Sequence, residues 1–174
     1  MFDVAIAYNR YKFLGYEFLT WLWFIIDQDR NKIENPESEP VSLQIGNYIV
    51  LENQLSDSIE SITIKGDDAD LVEGMLALKK GAVVTELNLS YQAGDNYWRF
   101  TLKGESFNVS SIRLPETGPL GSKKDFEGIV LEKTFLISKA FQIIDALFKQ
   151  FIHIRVSPDW QKTVVPLIKK WIFS

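Results

Sequence analysis

A run of alternating apolar and polar residues in the middle of the chain constrains the fold more than any other feature. Residues 83–91 have a period of two, which is typical of a half-buried strand. A turn at residues 93–96 leads into residues 97–103, which alternate in the same way and predict a hairpin partner. Residues 107–114 extend the pair into an antiparallel meander. Within the first strand, one face carries Val83, Thr85, Leu87, Leu89 and Tyr91. Within the second strand, one face carries Tyr97, Arg99 and Thr101.

Further strands are predicted upstream of this meander. Residues 41–52 alternate on both sides of Gly46 and Asn47, a pair typical of tight turns, so they predict a second hairpin. Residues 59–65 alternate less cleanly and predict one more strand. A helix is predicted next, with a cluster of aspartates at its beginning and Gly81 at its end, because glycine adopts the left-handed conformation that ends helices.

The first helix is predicted at residues 11–26, where apolar residues recur at steps of three and four. Further aromatic residues make this helix apolar nearly all round. A helix of that kind is either buried on several sides or used as an interface. Phe13, Trp21 and Trp23 are the candidate interface residues.

Two helices are predicted at the C-terminal end. Residues 130–155 form a long amphipathic pattern, and Ser157 followed by Pro158 is a favoured helix start. Pro166 is predicted to kink the last helix because it removes a backbone hydrogen bond. The whole pattern predicts a single α+β domain over residues 1–174. Its antiparallel sheet of about five to six strands, a hairpin plus a meander, is covered by helices, and a loop at 119–122 precedes the C-terminal helices.

Side chains that usually carry catalysis or bind metal are scarce. The chain has no cysteine and one histidine, His153, which lies among apolar neighbours. The cluster of Asp67, Asp68 and Asp70 lacks the pattern of a calcium-binding loop, and helix capping explains it without a metal. Residues 118–124 lack the spacing of a phosphate-binding loop. We therefore expect no enzymatic activity, no cofactor and no metal.

The charge of the chain is unevenly distributed. The net charge is −4, with −8 in residues 1–119 and +4 in residues 120–174. Because seven residues make nearly two helical turns, residues 162 and 169 are expected to share one sector of the last helix. The sequence thus predicts a basic stripe that binds the phosphates of nucleic acid, with a solvated helix surface as the alternative. The candidate residues are Arg155, Lys162, Lys169 and Lys170.

Two parts of the chain together resemble the recombination-associated RdgC family. One is residues 13–23. The other is residues 76–89, followed by the strand segments 97–100 and 112–114. The second part is similar to a Gly-Lys-Val-Val-Thr run of the family that precedes alternating strands, with Ala82 in place of the lysine. The resemblance implies ring-shaped dimers that encircle duplex DNA without reading its sequence and that restrain recombinase filaments.

The sequence therefore favours a non-enzymatic, RdgC-like domain of a bacterium that binds DNA non-specifically or assembles with a recombination protein. A structural or interaction module without DNA affinity, such as a homodimer, is the alternative, and a Mg²⁺-dependent nuclease is a weaker one. The longest apolar stretch, residues 18–26, is shorter than the about 20 residues of a membrane span. We expect a cytoplasmic protein, associated with the nucleoid if it binds DNA.

Overall fold

The computed structural model describes residues 11–28, 41–53, 60–65, 71–117 and 125–174. Asp67, Asp68 and Asp70 and the predicted loop at 119–122 lie outside the described residues. The strands are β1 (Val41–Asn53), β2 (Glu60–Lys65), β3 (Val83–Ala93), β4 (Asn96–Lys103) and β5 (Asn108–Arg113). The helices are α1 (Phe13–Asp27), α2 (Leu71–Lys79), α3 (Asp125–Val156) and α4 (Val165–Phe173).

The five described strands form one antiparallel sheet in the order β2-β1-β3-β4-β5. The α+β fold with two C-terminal helices is thereby confirmed. The predicted hairpin of β3 and β4 is present, with Ala93 paired to Asn96 across a two-residue turn. Gly94 in that turn has a φ of 55°, a conformation that glycine adopts without the steric cost of a side chain.

The predicted hairpin at residues 41–52 is wrong, because β1 is one continuous strand with a bulge. Ile45 pairs with Leu89 and Ile49 pairs with Leu87, so three residues of β1 oppose a single residue of β3. That single residue, Asn88, fills the gap: its Oδ1 accepts a hydrogen bond from the backbone N–H of residue 47 at 2.9 Å. A glycine at position 46 is needed because a Cβ there would lie 2.0 Å from the same oxygen.

A second irregularity changes the face that one residue of β3 occupies. Leu51 pairs with Val84 while Val50 pairs with Glu86, so β3 has one extra residue between the two pairs. This shift turns Val84 to the core face, where it is fully buried. The predicted alternation, which put Val83 and Thr85 on the face of Leu87 and left Val84 to the other face, is therefore wrong at Val84, whereas it holds from Leu87 onward.

The described helices cover one face of this sheet. α1 lies against β1 and β3, and α2 lies against β1 and β2. The close approach of α2 requires a glycine at position 74, because a Cβ there would meet both the Trp23 ring and Ile64. α2 ends as predicted at Gly81, where the N–H of Ala82 donates to Ala77 and that of Gly81 to Leu78. The apolar face of the sheet is thus buried, and its opposite face is left to polar residues.

The two C-terminal helices pack outside α1. Trp98 on the sheet donates its indole N–H to the carbonyl of Leu136 on α3, and Trp171 on α4 donates to Asp27 at the end of α1. The last helical segment begins at Pro158, directly after Ser157, as predicted. The Ser157 hydroxyl donates to the carbonyl of Ile154. Pro166 lies in the first turn of α4, directly after a π-helical turn at Trp160–Val164 that the sequence did not predict.

Candidate functional site

The open face of the sheet, opposite the helices, is the candidate site. Its residues alternate with the core residues along the five strands, and most are polar. Among described residues, four cations (Lys65, Arg99, Lys103, Arg113) and two anions (Glu52, Glu86) point to this face, so its balance is +2 on a chain of net charge −4. This face therefore has the opposite charge balance to the whole chain.

Two arginines lie side by side at the edge of the open face. Arg99 of β4 and Arg113 of β5 are direct partners across the two strands, so their side chains point to the same side. Like charges placed directly opposite each other destabilise a sheet. Neither guanidinium forms an ion pair with another described residue. The pair is thus a positive site without a counter-charge among the described residues.

Tyr97 connects this arginine pair to the rest of the face. Its hydroxyl accepts hydrogen bonds from Arg99, at 2.9 Å from Nη2 and 3.3 Å from Nε, and it donates to Ser90 Oγ at 2.7 Å. The Arg99 guanidinium carbon also lies 5.7 Å from the centre of the Tyr97 ring. With 41% of its surface exposed, Tyr97 holds Arg99 in place and still presents a ring edge to solvent.

The electrostatics of the cluster appear in the pKa of Tyr97. Partial burial raises the pKa of this phenol, but the hydrogen bonds with Ser90 and Arg99 and the charges of Arg99 and Arg113 outweigh burial. The pKa of Tyr97 therefore lies below the ordinary value of a tyrosine. An anion, here tyrosinate, is stabilised at this position, which is the property that an anion-binding site requires.

We expect Arg113→Gln to raise the pKa of Tyr97, because the substitution removes one of the two positive charges that favour tyrosinate. An absorbance titration at the tyrosinate band, with Tyr97→Phe subtracted to isolate this residue, measures the change. Lys65→Gln removes a cation that is not among the causes of the shift and serves as the control. An unchanged midpoint in Arg113→Gln would show that the second arginine does not act on this site.

A buried polar network makes the middle of the face rigid. Asn88 donates its amide to Thr101 Oγ1 at 2.9 Å and to the carbonyl of Phe100 at 3.3 Å, and the Tyr48 hydroxyl bonds to the same Thr101 oxygen. Buried polar groups are stable only when they are hydrogen-bonded, and these are. The network therefore keeps β1, β3 and β4 in register beneath the exposed side chains.

Lys103 is the one cation of the described open face that forms an ion pair with another described residue. Its ammonium lies 2.9 Å from Glu86, and that hydrogen bond raises the pKa of Lys103. The charge of Lys103 is therefore neutralised locally. Lys65, Arg99 and Arg113 form no ion pair with a described residue, and of these three cations only Arg99 and Arg113 lie directly beside each other.

The predicted basic stripe is only partly present. Arg155 donates a hydrogen bond from Nε to Glu17 at 2.6 Å, and its guanidinium lies 5.3 Å from the Trp160 ring. Arg155 therefore joins α3 to α1, and its charge is paired within the chain. The other three residues, Lys162, Lys169 and Lys170, are exposed. The π-helical turn holds more residues per turn than an α-helix, so the spacing that placed 162 and 169 in one sector does not apply.

The predicted interface residues of α1 divide into two kinds. Trp23 is fully buried and Trp21 is 5% exposed, so the prediction that these two form an interface with another chain is wrong. They serve the core instead. Phe13 is 43% exposed and lines a shallow cavity of about 350 Å³ together with Glu17 and Lys169.

Within the described parts of the chain, no group of three or more His, Cys, Asp and Glu side chains is placed to hold a metal ion. His153, the only histidine of the sequence, is exposed near the end of α3. None of the helices in the described residues is long and apolar enough to cross a membrane. No protein-family model, no curated protein and no solved structure matches this chain.

Proposed function

We propose that this chain is a non-enzymatic, RdgC-like domain that binds nucleic acid through its phosphates, without reading sequence, at the open face of the sheet. The observation that carries the proposal is the uncompensated pair of Arg99 and Arg113 beside Tyr97. A phosphate between the two guanidinium groups would turn a destabilising contact between like charges into a favourable one.

Arginine chemistry agrees with this ligand. The guanidinium group offers planar pairs of N–H donors that match two oxygens of one phosphate. Arg99 is already oriented by its hydrogen bonds to Tyr97, so less conformational entropy is lost when a ligand binds. These contacts reach only the phosphates, which carry no sequence information, and they therefore imply non-specific binding.

Both arginines belong to the segments that resemble the RdgC family, residues 97–100 and 112–114. The residues proposed to bind DNA therefore lie within the segments whose resemblance implies a role in restraining recombinases. Association with a recombination protein remains part of this proposal, as do the cytoplasmic and nucleoid locations that follow from DNA binding.

The test is the fluorescence anisotropy of labelled double- and single-stranded DNA, titrated with the protein at several salt concentrations. We expect Arg99→Gln with Arg113→Gln to weaken binding and to flatten the plot of log affinity against log salt for duplex DNA. Because each phosphate contact contributes a slope of about −0.9, the slope should become less negative by about 1.8.

The matched control removes two charges elsewhere. Lys162→Gln with Lys169→Gln makes the same change in net charge on the C-terminal helices. If this control weakens binding more than the arginine variant does, the helices and not the sheet hold the DNA. If the unmodified protein binds neither DNA at low salt, the proposed function is wrong.

A further inference from the structure

The N-terminal part of α3 is exposed to an extent that the described fold does not explain. No described side chain between residues 126 and 135 is buried. Three large apolar side chains in this part are more than half exposed: Phe126 at 60% on one side of the helix, and Leu131 at 70% and Phe135 at 59% on the other. Exposed apolar surface marks an interaction site where it is contiguous, and the side of the helix that carries Phe126 has such surface.

A stripe of apolar residues runs along this helix. At about 100° per residue, Phe126, Val130, Ile137 and Phe141 fall within one sector of roughly 60°. They are 60%, 46%, 40% and 49% exposed, respectively. Ile144 and Phe148, which continue the same sector toward the C-terminal end, are half-buried. We call these six residues the α3 stripe.

The C-terminal end of the α3 stripe forms one wall of an apolar groove of about 550 Å³. The opposite wall comes from the turn between β4 and β5, where Phe107 lies 5.2 Å from Phe148, ring centre to ring centre. Phe107 is 45% exposed and has a φ of 54°, which a bulky residue adopts only at a cost. The groove is therefore open and lined by aromatic rings.

The α3 stripe is symmetric in sequence about Ile137 except at Phe141, since the position four residues before Ile137 is Lys133. Val130 and Ile144 lie seven residues to either side of it, and Phe126 and Phe148 lie eleven residues to either side. In an antiparallel pair of identical helices with a two-fold axis at Ile137, residue 126 of one copy faces residue 148 of the other. The exposed end of each helix then reaches the apolar groove of its partner.

We propose that the α3 stripe is an interface between two copies of this chain, which pair antiparallel around Ile137. Such an isologous contact is the commonest way in which soluble proteins dimerise. The sequence predicted an interface on α1, whereas this proposal assigns the interface to α3. This proposal does not depend on DNA binding, since it uses the helix layer and not the open face of the sheet.

The area available matches a stable dimer. The accessible apolar area of the α3 stripe and its groove is roughly 500–700 Å² per copy, taking about 150–250 Å² for a whole aromatic side chain. A standard interface buries about 800 Å² per partner, including a polar rim. The antiparallel orientation also sets opposite helix dipoles side by side.

Sedimentation velocity of the full-length chain, from about 1 to 100 μM, tests the association. We expect a dimer, and we expect Ile137→Glu to raise its dissociation constant by more than about 100-fold, because both copies place the new charge at the same point. Phe135→Glu is the matched control, since Phe135 lies on the far side of the helix and is also exposed. Unchanged circular dichroism establishes that both variants fold.

Cysteine crosslinking tests the geometry, because the natural chain contains no cysteine. Ile137→Cys should form an intermolecular disulfide under mild oxidation, while Phe135→Cys should not. A mixture of Val130→Cys and Ile144→Cys should crosslink faster than either variant alone. A chain that stays monomeric at 100 μM, or Ile137→Cys that crosslinks no faster than Phe135→Cys, overturns the proposal, whatever other molecule the stripe binds. Arg99→Gln with Arg113→Gln should leave dimerisation unchanged, which separates this result from the test of DNA binding.

Discussion

Replacing Phe151 by alanine is expected to lower the free energy of unfolding by about 3–5 kcal/mol, the usual loss when a buried phenylalanine is truncated. Phe151 is fully buried, and its ring centre lies 5.4 Å from that of Phe18, 5.7 Å from that of Trp21 and 5.6 Å from that of Trp160. The side chain thus joins α1, α3 and the π-helical turn. Urea denaturation followed by circular dichroism measures the loss.

Phe173→Ala provides the control for this prediction. Phe173 is 67% exposed at the end of α4, so the same substitution should change the free energy of unfolding by no more than about 0.5 kcal/mol. A loss of less than about 1.5 kcal/mol in Phe151→Ala, well under the expected range for a buried aromatic side chain, would mean that the neighbouring rings collapse into the cavity. The cluster would then be adaptable and not a fixed joint between the helices.

Gly15→Ala is expected to destabilise the protein by about 2–3 kcal/mol, although alanine is a better helix former than glycine. A Cβ at position 15 would lie 1.8 Å from the carbonyl oxygen of Gly104, which is backbone and cannot rotate away. Gly104 itself is fixed, because its N–H donates to Thr85 at 2.8 Å. Thermal or urea unfolding measures the effect.

The same substitution on α3 should have the opposite sign. Gly128 is also helical, and a Cβ there would meet no atom within 4 Å, so Gly128→Ala should stabilise the chain by about 0.5–1 kcal/mol. If Gly15→Ala is neutral or stabilising as well, α1 does not approach the turn after β4 as closely as the structure shows. The contact matters for the candidate site, since it holds the end of β4 that carries Lys103.

The fold could be predicted where one local period dominates. The alternation in β3 and β4 and the three- and four-residue steps in α1 and α3 reflect which face each element buries, and these elements were predicted with their types correct. The prediction failed at Gly46 and Asn47, where a bulge has the same composition as a turn. Only the partner strand distinguishes the two, because Asn88 occupies the gap and bonds to the backbone of β1.

The candidate site was only half visible in the sequence. The alternation placed Tyr97 and Arg99 on one face of a strand, but Arg113 is 14 residues further on, and a shift in the register of β5 determines its position. The prediction of a basic stripe relied on 3.6 residues per turn, and the π-helical turn breaks that rule. The sequence predicted Arg155 to be a cation available to bind phosphate, whereas in the fold its guanidinium is paired with Glu17.

The sequence by itself determined the types of the elements, the antiparallel sheet with an apolar face and the scarcity of catalytic side chains, because these follow from local period and residue chemistry. Only the tertiary structure decided which apolar surface is covered. α1 and α3 both carry aromatic residues at helical spacing, yet Trp23 is fully buried and Phe126 is 60% exposed. The physical reason is that burial depends on what packs against a face. α1 packs against the sheet and against α3 and α4, whereas no described element buries the side chains of residues 126–135 at the beginning of α3.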